Sequence, residues 1–492
     1  MALELLLAVE LEDAYANLLL PKLLDRSGLD SRDIAFAQEL AFGTLRWQLF
    51  YDRVIEECAK RYSDEIDIKA LVVLRLGSHQ ILGMRVPSHA ALSETVNLAK
   101  AALSQGAVGF INGVLRRVSE RSREEWLEIV LNGLQNPDER LAVEFSHPIW
   151  VVRALATALK LDGHEGELRD LLLADNIAPL VSLVALPGLA NEVDFEDLEV
   201  GPASPIGAQL DSGDPNQLTA FREGRVRVQD QGSQLAALAL VDAKPISSKE
   251  RWLDMCAGPG GKAALLAAEA KLAGTTLVCN EISEHRAKLV SQALKPVDSA
   301  IRVTTEDGRE IGAANPASFD RILLDAPCSG LGALRRRPEA RWRKTAKDVA
   351  ELTKLQEELF DSAWAGLKPG GVLAYVTCSP HLAETTAIVE RAVHKFGETL
   401  EVLDAVPVLH QLNPALKLNK ERKTVQLWPQ IHGTDAMFIA LLTKRGEKPG
   451  TAAEEGLGTS AAEEATEVDA VESAAEAKPA RKPRTKTTQT KV

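Results

Sequence analysis

The chain has 492 residues, of which 45% are apolar and 26% charged, a composition typical of a globular protein with two or three domains. Its five cysteines are widely spaced, which excludes a disulfide-stapled scaffold and leaves no ligand cluster for a metal site. The formal net charge of −13 argues against a protein that binds polyanions with its whole surface.

No run of uncharged residues reaches the roughly 20 residues of a membrane span. The first residues, Met1-Ala2-Leu3-Glu4, lack the cationic start and the cleavage site of a signal peptide. We therefore expect a cytoplasmic protein with reduced thiols and no membrane partner.

The first half of the chain is predicted to contain a helical domain and a small connector. Residues 1–145 carry apolar residues at helical spacing, for example Leu45 and Leu49, which predicts a helical bundle. Residues 146–220 contain one predicted strand at 181–186. The turns that follow this strand are marked by Pro187, Pro202, Pro205 and Pro215, and we expect an α+β connector there.

Residues 221–445 alternate between predicted strands and helices, which indicates an α/β domain with a parallel sheet and helices on both faces. In such sheets ligands bind at the carboxyl ends of the strands. The predicted strands are Arg225–Val228, Arg251–Met255, Thr276–Cys279, Ile301–Thr304, Arg321–Leu324, Gly371–Thr377 and Met437–Leu442.

The last segment, residues 446–492, has no aromatic residue and is rich in Ala, Glu, Thr, Lys and Pro. It has too little apolar surface to offset the entropy of ordering, so we expect a disordered tail. Two roles are open for it, a solubilising tail or a basic tip that contacts RNA phosphates.

A glycine-rich loop follows the strand at 251–255. Glycines at such a turn allow the backbone to approach a ligand closely. The loop has neither the spacing of a phosphate-binding P-loop nor the full pattern of a dinucleotide site. It consists of Cys256, Ala257, Gly258, Pro259, Gly260, Gly261 and Lys262.

Acidic residues follow the next two strands. Glu281 stands 20 residues after Gly261, where a carboxylate can accept hydrogen bonds from both ribose hydroxyls of a nucleoside. Asp307 follows the third strand of the sheet and has two interpretations: an acceptor for an adenine amino group, or a helix N-cap.

Two cysteines lie just beyond two further strands, in the segments Asp325-Ala326-Pro327-Cys328-Ser329-Gly330 and Thr377-Cys378-Ser379-Pro380. A thiolate is a strong nucleophile once nearby positive charge lowers its pKa, and Asp325 adds an acidic or hydrogen-bonding group. We interpret Cys58 and Cys279 as small buried hydrophobic residues.

A basic cluster follows the Cys328 segment, with Trp342 among its members. Its place beside the predicted crevice favours contacts with RNA phosphates, although a charge run is also typical of a solvated face. The cluster comprises Arg335, Arg336, Arg337, Arg341, Arg343 and Lys344.

The glycine loop, the Asp-Ala-Pro-Cys-Ser-Gly segment and the Thr-Cys-Ser segment, in this order, resemble the RNA cytosine-5 methyltransferases. Over residues 1–445 the chain most resembles the bacterial methyltransferase B (Sun/Fmu) family, and Gln229-Asp230-Gln231-Gly232-Ser233 also matches it. The resemblance implies a NusB-like helical domain, an α/β Rossmann-like class I methyltransferase domain, and methylation of a cytidine in 16S ribosomal RNA. We expect a monomer.

The resemblance also implies a role for each site residue. The loop from Cys256 to Lys262 would cradle the methionine part of S-adenosylmethionine, Glu281 the ribose and Asp307 the adenine edge. Asp325 would lie near both the methyl donor and the target base, and Lys262 would join it in the catalytic group. Cys378 would be the nucleophile, and Cys328 would assist release of the methylated product.

The chain departs from the family pattern at two places. The usual Tyr-Ser-Thr-Cys-Ser reads Tyr375-Val376-Thr377-Cys378-Ser379, and the usual Asp-Gly-Phe-Phe reads Asp435-Ala436-Met437-Phe438. The sequence leaves open an exchange of the two thiol roles, because DNA cytosine-5 enzymes use a Pro-Cys cysteine as nucleophile. It also leaves open a non-catalytic RNA-binding protein, a methyltransferase for small molecules or proteins, and a nicotinamide-dependent oxidoreductase, which the glycine spacing disfavours.

Overall fold

A computed structural model describes residues 1–446 except 197 and 212, so nearly all of the predicted tail lies outside the described residues. The N-terminal region is helical, as predicted. Its helices are α1 (Ala2–Leu11), α2 (Ala16–Leu24), α3 (Ser31–Arg46), α4 (Gln48–Ala59), α5 (Ile68–Leu82), α6 (Ser88–Ala102), α7 (Gln105–Val118), α8 (Arg123–Leu131) and α9 (Pro137–Glu144), followed in the connector by α10 (Ile149–Leu161) and α11 (Leu168–Ala174).

Helix α5 is the centre of the helical domain. Asp67 caps it by accepting hydrogen bonds from the backbone N–H groups of Lys69 and Ala70. Helices α1, α3, α4, α6 and α7 all pack against α5, so its residues from 70 to 80 are buried on every side. Inside this core Arg75 donates two hydrogen bonds to the carboxylate of Asp52, at 2.6 and 2.8 Å, which compensates both buried charges.

The connector contains a four-stranded antiparallel sheet in the order β2-β3-β1-β4. Strand β1 confirms the predicted strand at 181–186. The strand predicted at 225–228 is real, but its assignment to the parallel sheet is wrong, because β4 pairs with β1. Only the first of its three residues is buried, whereas a strand inside a parallel sheet is covered on both faces. The strands are β1 (Val181–Ala185), β2 (Glu199–Val200), β3 (Gly207–Leu210) and β4 (Val226–Val228).

The α/β domain is built on a sheet in the order β10-β12-β9-β8-β5-β6-β7, with β11 paired to β12. Strands β5 to β9 pair in parallel, as predicted. The last strand, β12, is antiparallel to β9, which corrects the expectation of a purely parallel sheet. The strands are β5 (Arg251–Asp254), β6 (Thr276–Asn280), β7 (Arg302–Thr304), β8 (Phe319–Asp325), β9 (Leu367–Thr377), β10 (Leu400–Leu403), β11 (Val425–Gln426) and β12 (Phe438–Lys444).

Helices cover both faces of this sheet. Along β9, Ala374 and Val376 join one apolar cluster while Leu373 and Tyr375 join the other, which is the two-residue period of a strand buried on both sides. The helices of this part are α12 (Thr219–Arg222), α13 (Gln231–Asp242), α14 (Gly261–Leu272), α15 (Glu284–Leu294), α16 (Gly308–Ala314), α17 (Ala340–Arg343), α18 (Ala346–Gly366), α19 (Thr386–Phe396), α20 (Ala405–Leu412) and α21 (Pro429–His432).

None of the helices in the described part of the chain combines the length and the apolar composition that a bilayer crossing requires.

Candidate active site

The two predicted cysteines meet at the carboxyl edge of the sheet. Strands β8 and β9 are parallel neighbours with Asp325 opposite Val376, so the segments that follow them leave the sheet side by side. Their thiols, Cys328 and Cys378, are half-buried and unbridged, with 3.4 Å between the two Sγ atoms. A backbone hydrogen bond of 2.9 Å from Gly332 N–H to the Cys378 carbonyl ties the two segments together.

An ion pair lies beside the thiols. The Nζ of Lys262 donates to Asp325 Oδ2 at 2.9 Å and to Ser233 Oγ at 3.1 Å. Burial lowers the pKa of Lys262, but the negative charges of Asp325 and its neighbours outweigh burial, so the pKa is raised overall. Lys262 therefore remains a cation next to the thiols.

The surroundings make the two thiols unequal. The pKa of Cys378 is lowered, because the hydrogen bond from Cys328, with help from the charges of Lys262 and Arg337, outweighs burial and the repulsion from Asp325. The pKa of Cys328 is raised well above its usual value by the hydrogen bond to Cys378 and by burial. Cys378 is therefore the more acidic thiol of the pair, and Cys328 the thiol more suited to donate the hydrogen bond between them.

The glycine loop leads from β5 into α14 and fits closely against Glu281. The N–H of Gly258 donates to Glu281 Oε2 at 3.1 Å, and a Cβ on Gly258 would collide with the same oxygen. Gly260 has a φ of +111°, and a Cβ there would come within 2.6 Å of Ala293. The backbone path of the loop thus requires Gly260, and the position of the Glu281 carboxylate leaves no room for a side chain at Gly258.

The two acidic residues predicted to bind the cofactor, Glu281 and Asp307, already have hydrogen-bond partners within the protein. Glu281 is buried beneath the loop, where it also accepts from Ser283 N–H at 3.0 Å and pairs with Arg286 at 2.9 Å. Asp307 caps helix α16 and accepts three hydrogen bonds from the Arg309 guanidinium. The helix N-cap interpretation of Asp307 is therefore correct, and its contact with adenine stays a prediction.

Sequence reasoning missed Asp254, the last residue of β5. It is fully buried, and neither of its carboxylate oxygens has a hydrogen-bond partner among the described residues. Burial, followed by repulsion from Asp325, raises the pKa of Asp254 to about 8. An acidic residue at the end of a buried strand, next to the glycine loop, was the signal that could have identified it.

Four of the six basic residues predicted to contact RNA phosphates donate hydrogen bonds within the protein. Arg335 is buried and donates to Asp435 Oδ1 at 2.6 Å and to Asp230 Oδ1 at 2.9 Å. Arg336 binds the same two carboxylates. Because Arg335 is buried and its donors are satisfied within the protein, its predicted phosphate contact is wrong. Arg336 is half-buried, and its phosphate contact stays a prediction.

Arg341 and Arg343 connect the α/β domain to the N-terminal helices. Arg341 is fully buried and donates to the Ser146 carbonyl at 3.0 Å and to Asn176 Oδ1 at 2.9 Å. Arg343 donates to the Ala14 carbonyl at 2.5 Å. The phosphate prediction is therefore wrong for the fully buried Arg341, whereas the contact of the half-buried Arg343 stays a prediction.

The remaining two basic residues, Arg337 and Lys344, keep solvent access. Arg337 is exposed, and its charge reaches Cys378, whose pKa it helps to lower. Lys344 is partly exposed. Their contact with RNA stays a prediction.

Comparisons with known proteins agree with this geometry. A family model described as 16S rRNA methyltransferase RsmB/F matches residues 243–443, and a NusB family model matches residues 1–120. Ribosomal RNA small subunit methyltransferase B of Salmonella enteritidis is 34% identical over 76% of this chain and 84% of its own length. The chain belongs to the RsmB/F family of 16S rRNA methyltransferases.

Further relatives span more of the chain. A Mycobacterium tuberculosis protein, Rv1407, which is named as a methyltransferase, is 44% identical over 90% of this chain and 95% of its own length. The crystal structure of PH0851 has the same fold, with a TM-score of 0.70 and 22% identity over 85% of this chain and 92% of that one. The class I methyltransferase fold and the NusB domain predicted from the sequence are thereby confirmed.

Members of the RsmB/F family depend on S-adenosylmethionine, and the residues present fit this cofactor. Gly258, Gly260 and Gly261 carry no side chains, which suits a loop whose backbone approaches a ligand. Glu281 holds a carboxylate against the loop, and its contact with the ribose stays a prediction. Asp254 adds buried acceptors without partners among the described residues.

Proposed function

We propose that this RsmB/F methyltransferase methylates carbon 5 of a cytidine in 16S ribosomal RNA through a covalent cysteine–cytosine intermediate. The observation that carries the proposal is the pair of thiols, 3.4 Å apart and with pKa values shifted in opposite directions, beside the Lys262–Asp325 ion pair. The name of the Salmonella relative supports the ribosomal RNA substrate.

Cys378 is the proposed nucleophile. Carbon 5 of cytosine is itself a poor nucleophile, so its methylation requires activation of the ring. The Cys378 thiolate adds to carbon 6, the ring electron pair shifts, and carbon 5 becomes enamine-like and nucleophilic. S-adenosylmethionine supplies the electrophilic methyl group. Asp325, held in its ion pair with Lys262, is proposed to hydrogen-bond the ring during this addition.

Cys328 is the proposed base for the last stage. Its raised pKa is caused first by the hydrogen bond to Cys378, and the negative charge of Cys378 contributes further. Once Cys378 is bonded to carbon 6 its sulfur is a neutral thioether, so both causes disappear and Cys328 loses its proton to solvent more readily. Cys328 then accepts the proton from carbon 5, and the Cys378 thiolate is eliminated from carbon 6.

The RNA substrate must present its base outside a regular stack, because addition to carbon 6 occurs from above the ring. Arg337, whose charge reaches Cys378, and Lys344, which is partly exposed, are the proposed phosphate contacts. The NusB-like domain is proposed as a second RNA contact, and the protein is proposed to act as a monomer.

A trapping assay tests the proposal. Wild type, Cys378→Ala, Cys328→Ala and the control Cys58→Ala would be incubated with S-adenosylmethionine and unmodified 16S RNA. Denaturing gels would detect adducts, and mapping would locate 5-methylcytidine. We expect Cys328→Ala to accumulate a covalent RNA adduct, Cys378→Ala to give neither adduct nor product, and Cys58→Ala, whose thiol is buried in the helical domain, to behave as wild type.

Two outcomes would contradict the proposal. An adduct in Cys378→Ala but not in Cys328→Ala would exchange the roles of the two thiols. Absence of 5-methylcytidine with every form of 16S RNA, naked or partly assembled, would favour the non-catalytic RNA-binding protein.

A further inference from the structure

We propose that Glu384 is a positioning residue that holds the two cysteine segments together and keeps Cys328 as the proton donor to Cys378. The inference rests on the proposed function, because it concerns the same pair of thiols. Glu384 does not touch the sulfur atoms. It acts through the serine that follows each cysteine.

The carboxylate of Glu384 joins the two segments directly. Glu384 is fully buried, and its Oε1 accepts from the Ser329 backbone N–H at 2.7 Å. Its Oε2 accepts from Ser329 Oγ at 2.5 Å and from Ser379 Oγ at 2.7 Å. Since Ser329 follows Cys328 and Ser379 follows Cys378, one carboxylate sets the spacing of both cysteines.

Neighbouring side chains hold Glu384 itself in place. Gln356, buried on helix α18, donates to the Pro327 carbonyl at 2.8 Å and to Glu384 Oε1 at 3.3 Å. The hydroxyl of Tyr375 donates to the Glu384 backbone carbonyl at 2.7 Å. A buried carboxylate that accepts several hydrogen bonds from fixed donors is itself fixed, and a network of this kind defines a single arrangement of the two segments.

Glu384 also contributes to the charge difference between the thiols. Four charged groups face the pair: Lys262 from α14, Asp325 from β8, Arg337 from the segment after Cys328, and Glu384. The negative charge of Glu384 helps to raise the pKa of Cys328, whereas Lys262 and Arg337 act on Cys378 in the opposite direction. Removing the charge at 384 should therefore make Cys328 a stronger competitor for ionisation.

The test measures thiol selectivity in the full-length protein without substrate. Iodoacetamide alkylates thiolates, and mass spectrometry of the two peptides gives the ratio of Cys378 to Cys328 modification. We expect a high ratio in wild type and a fall of about tenfold in Glu384→Gln, the change that corresponds to about one pKa unit. Glu390→Gln is the matched control, because Glu390 is exposed on helix α19 and its substitution removes the same charge.

An unchanged ratio in folded Glu384→Gln would overturn the proposal, as would an equal fall in Glu390→Gln. Thermal unfolding would show whether the variants are folded. If Glu384→Gln does not fold, Ser329→Ala and Ser379→Ala take its place, since each removes one hydroxyl donor to the carboxylate, and a ratio unchanged in both would overturn the proposal.

Alkylation requires neither RNA nor S-adenosylmethionine. Failure of the proposed function is an absence of cytidine methylation by wild type, whereas failure of the present inference is an unchanged alkylation ratio. The two failures are therefore distinguishable.

Discussion

The two cysteines of the site have the same functional group, and their surroundings make them chemically different. Cys378 receives a hydrogen bond and the influence of two cations, while Cys328 faces Glu384 and Asp325. One thiol with a lowered pKa next to one with a raised pKa suits the proposed reaction, in which one sulfur attacks and the other acts later. At the scale of residues, the positions of a few charges within this site make the two thiols differ in acidity.

Lys262→Met should move the pH dependence of methylation. The pKa of Cys378 is lowered in part by the Lys262 charge, so loss of this charge raises that pKa, and a higher pH is needed to form the thiolate. The acidic limb of single-turnover methylation should shift to higher pH, and the rate near neutral pH should fall by about ten- to a hundredfold. Rate–pH profiles at saturating RNA and S-adenosylmethionine would measure the shift.

The control for this prediction is Lys160→Met, which removes an exposed lysine on helix α10 that pairs with Glu165. Its profile should coincide with that of wild type. If the acidic limb of the Lys262→Met rate–pH profile also coincides with that of wild type, Lys262 does not influence the pKa of Cys378.

At the scale of elements, the glycine loop after β5 fits closely against Glu281, the carboxylate that follows β6. These strands are parallel neighbours, with Asp254 opposite Cys279, so the turn and Glu281 reach the same edge together. The hydrogen bond from Gly258 to Glu281 leaves no room for a side chain between them.

Gly258→Ala should therefore weaken S-adenosylmethionine binding while the protein stays folded. The new Cβ would displace the Glu281 carboxylate proposed to hold the ribose, and we expect the dissociation constant to rise by about tenfold or more, the equivalent of about 1.4 kcal/mol. Isothermal titration calorimetry would measure it. Gly106→Ala on α7, where a Cβ meets open space, should bind as wild type; equal affinity in both variants would refute the role of the close fit.

At the scale of the whole molecule, the connector helices α10 and α11 and the α/β domain share one apolar core. Val151, Leu155 and Leu172 from the first part pack in the same cluster as Leu334 and Trp428 from the second. Arg341 crosses this interface, and burial lowers its pKa to about 10. Its hydrogen bonds to Ser146 and Asn176 supply the polar part of the same contact.

Arg341→Met should destabilise the protein by about 3 kcal/mol, because buried acceptors lose their donor. Urea unfolding followed by circular dichroism would give the change in unfolding free energy. The comparison is Arg153→Met, which removes a surface ion pair between exposed Arg153 and Asp138. The loss of unfolding free energy in this variant should stay below about 1 kcal/mol. Similar losses in both variants would mean that Arg341 contributes no more than a surface ion pair.

The sequence predicted those features that depend on neighbours along the chain. The glycine loop and the cysteines are encoded locally, and the alternation of strands and helices fixes the edge at which they meet. Pairing of β4 with β1 and burial of Arg335 and Arg341 depend on distant partners, so an isolated strand or a run of arginines does not reveal them. The unequal pKa values of the two thiols depend on charges from several elements, which no spacing along the chain provides.

The shared core around Trp428 has a consequence for how the protein can be divided. A fragment starting at residue 221 would contain every proposed catalytic side chain, yet it would expose Leu331, Leu334 and Trp428 to water and leave the Arg341 guanidinium without its carbonyl partners. Such a fragment should aggregate rather than work as a minimal enzyme. The boundary near residue 220 is thus not a place where domains can be exchanged between proteins. A chimaera with another family member would have to take both sides of this core from the same protein.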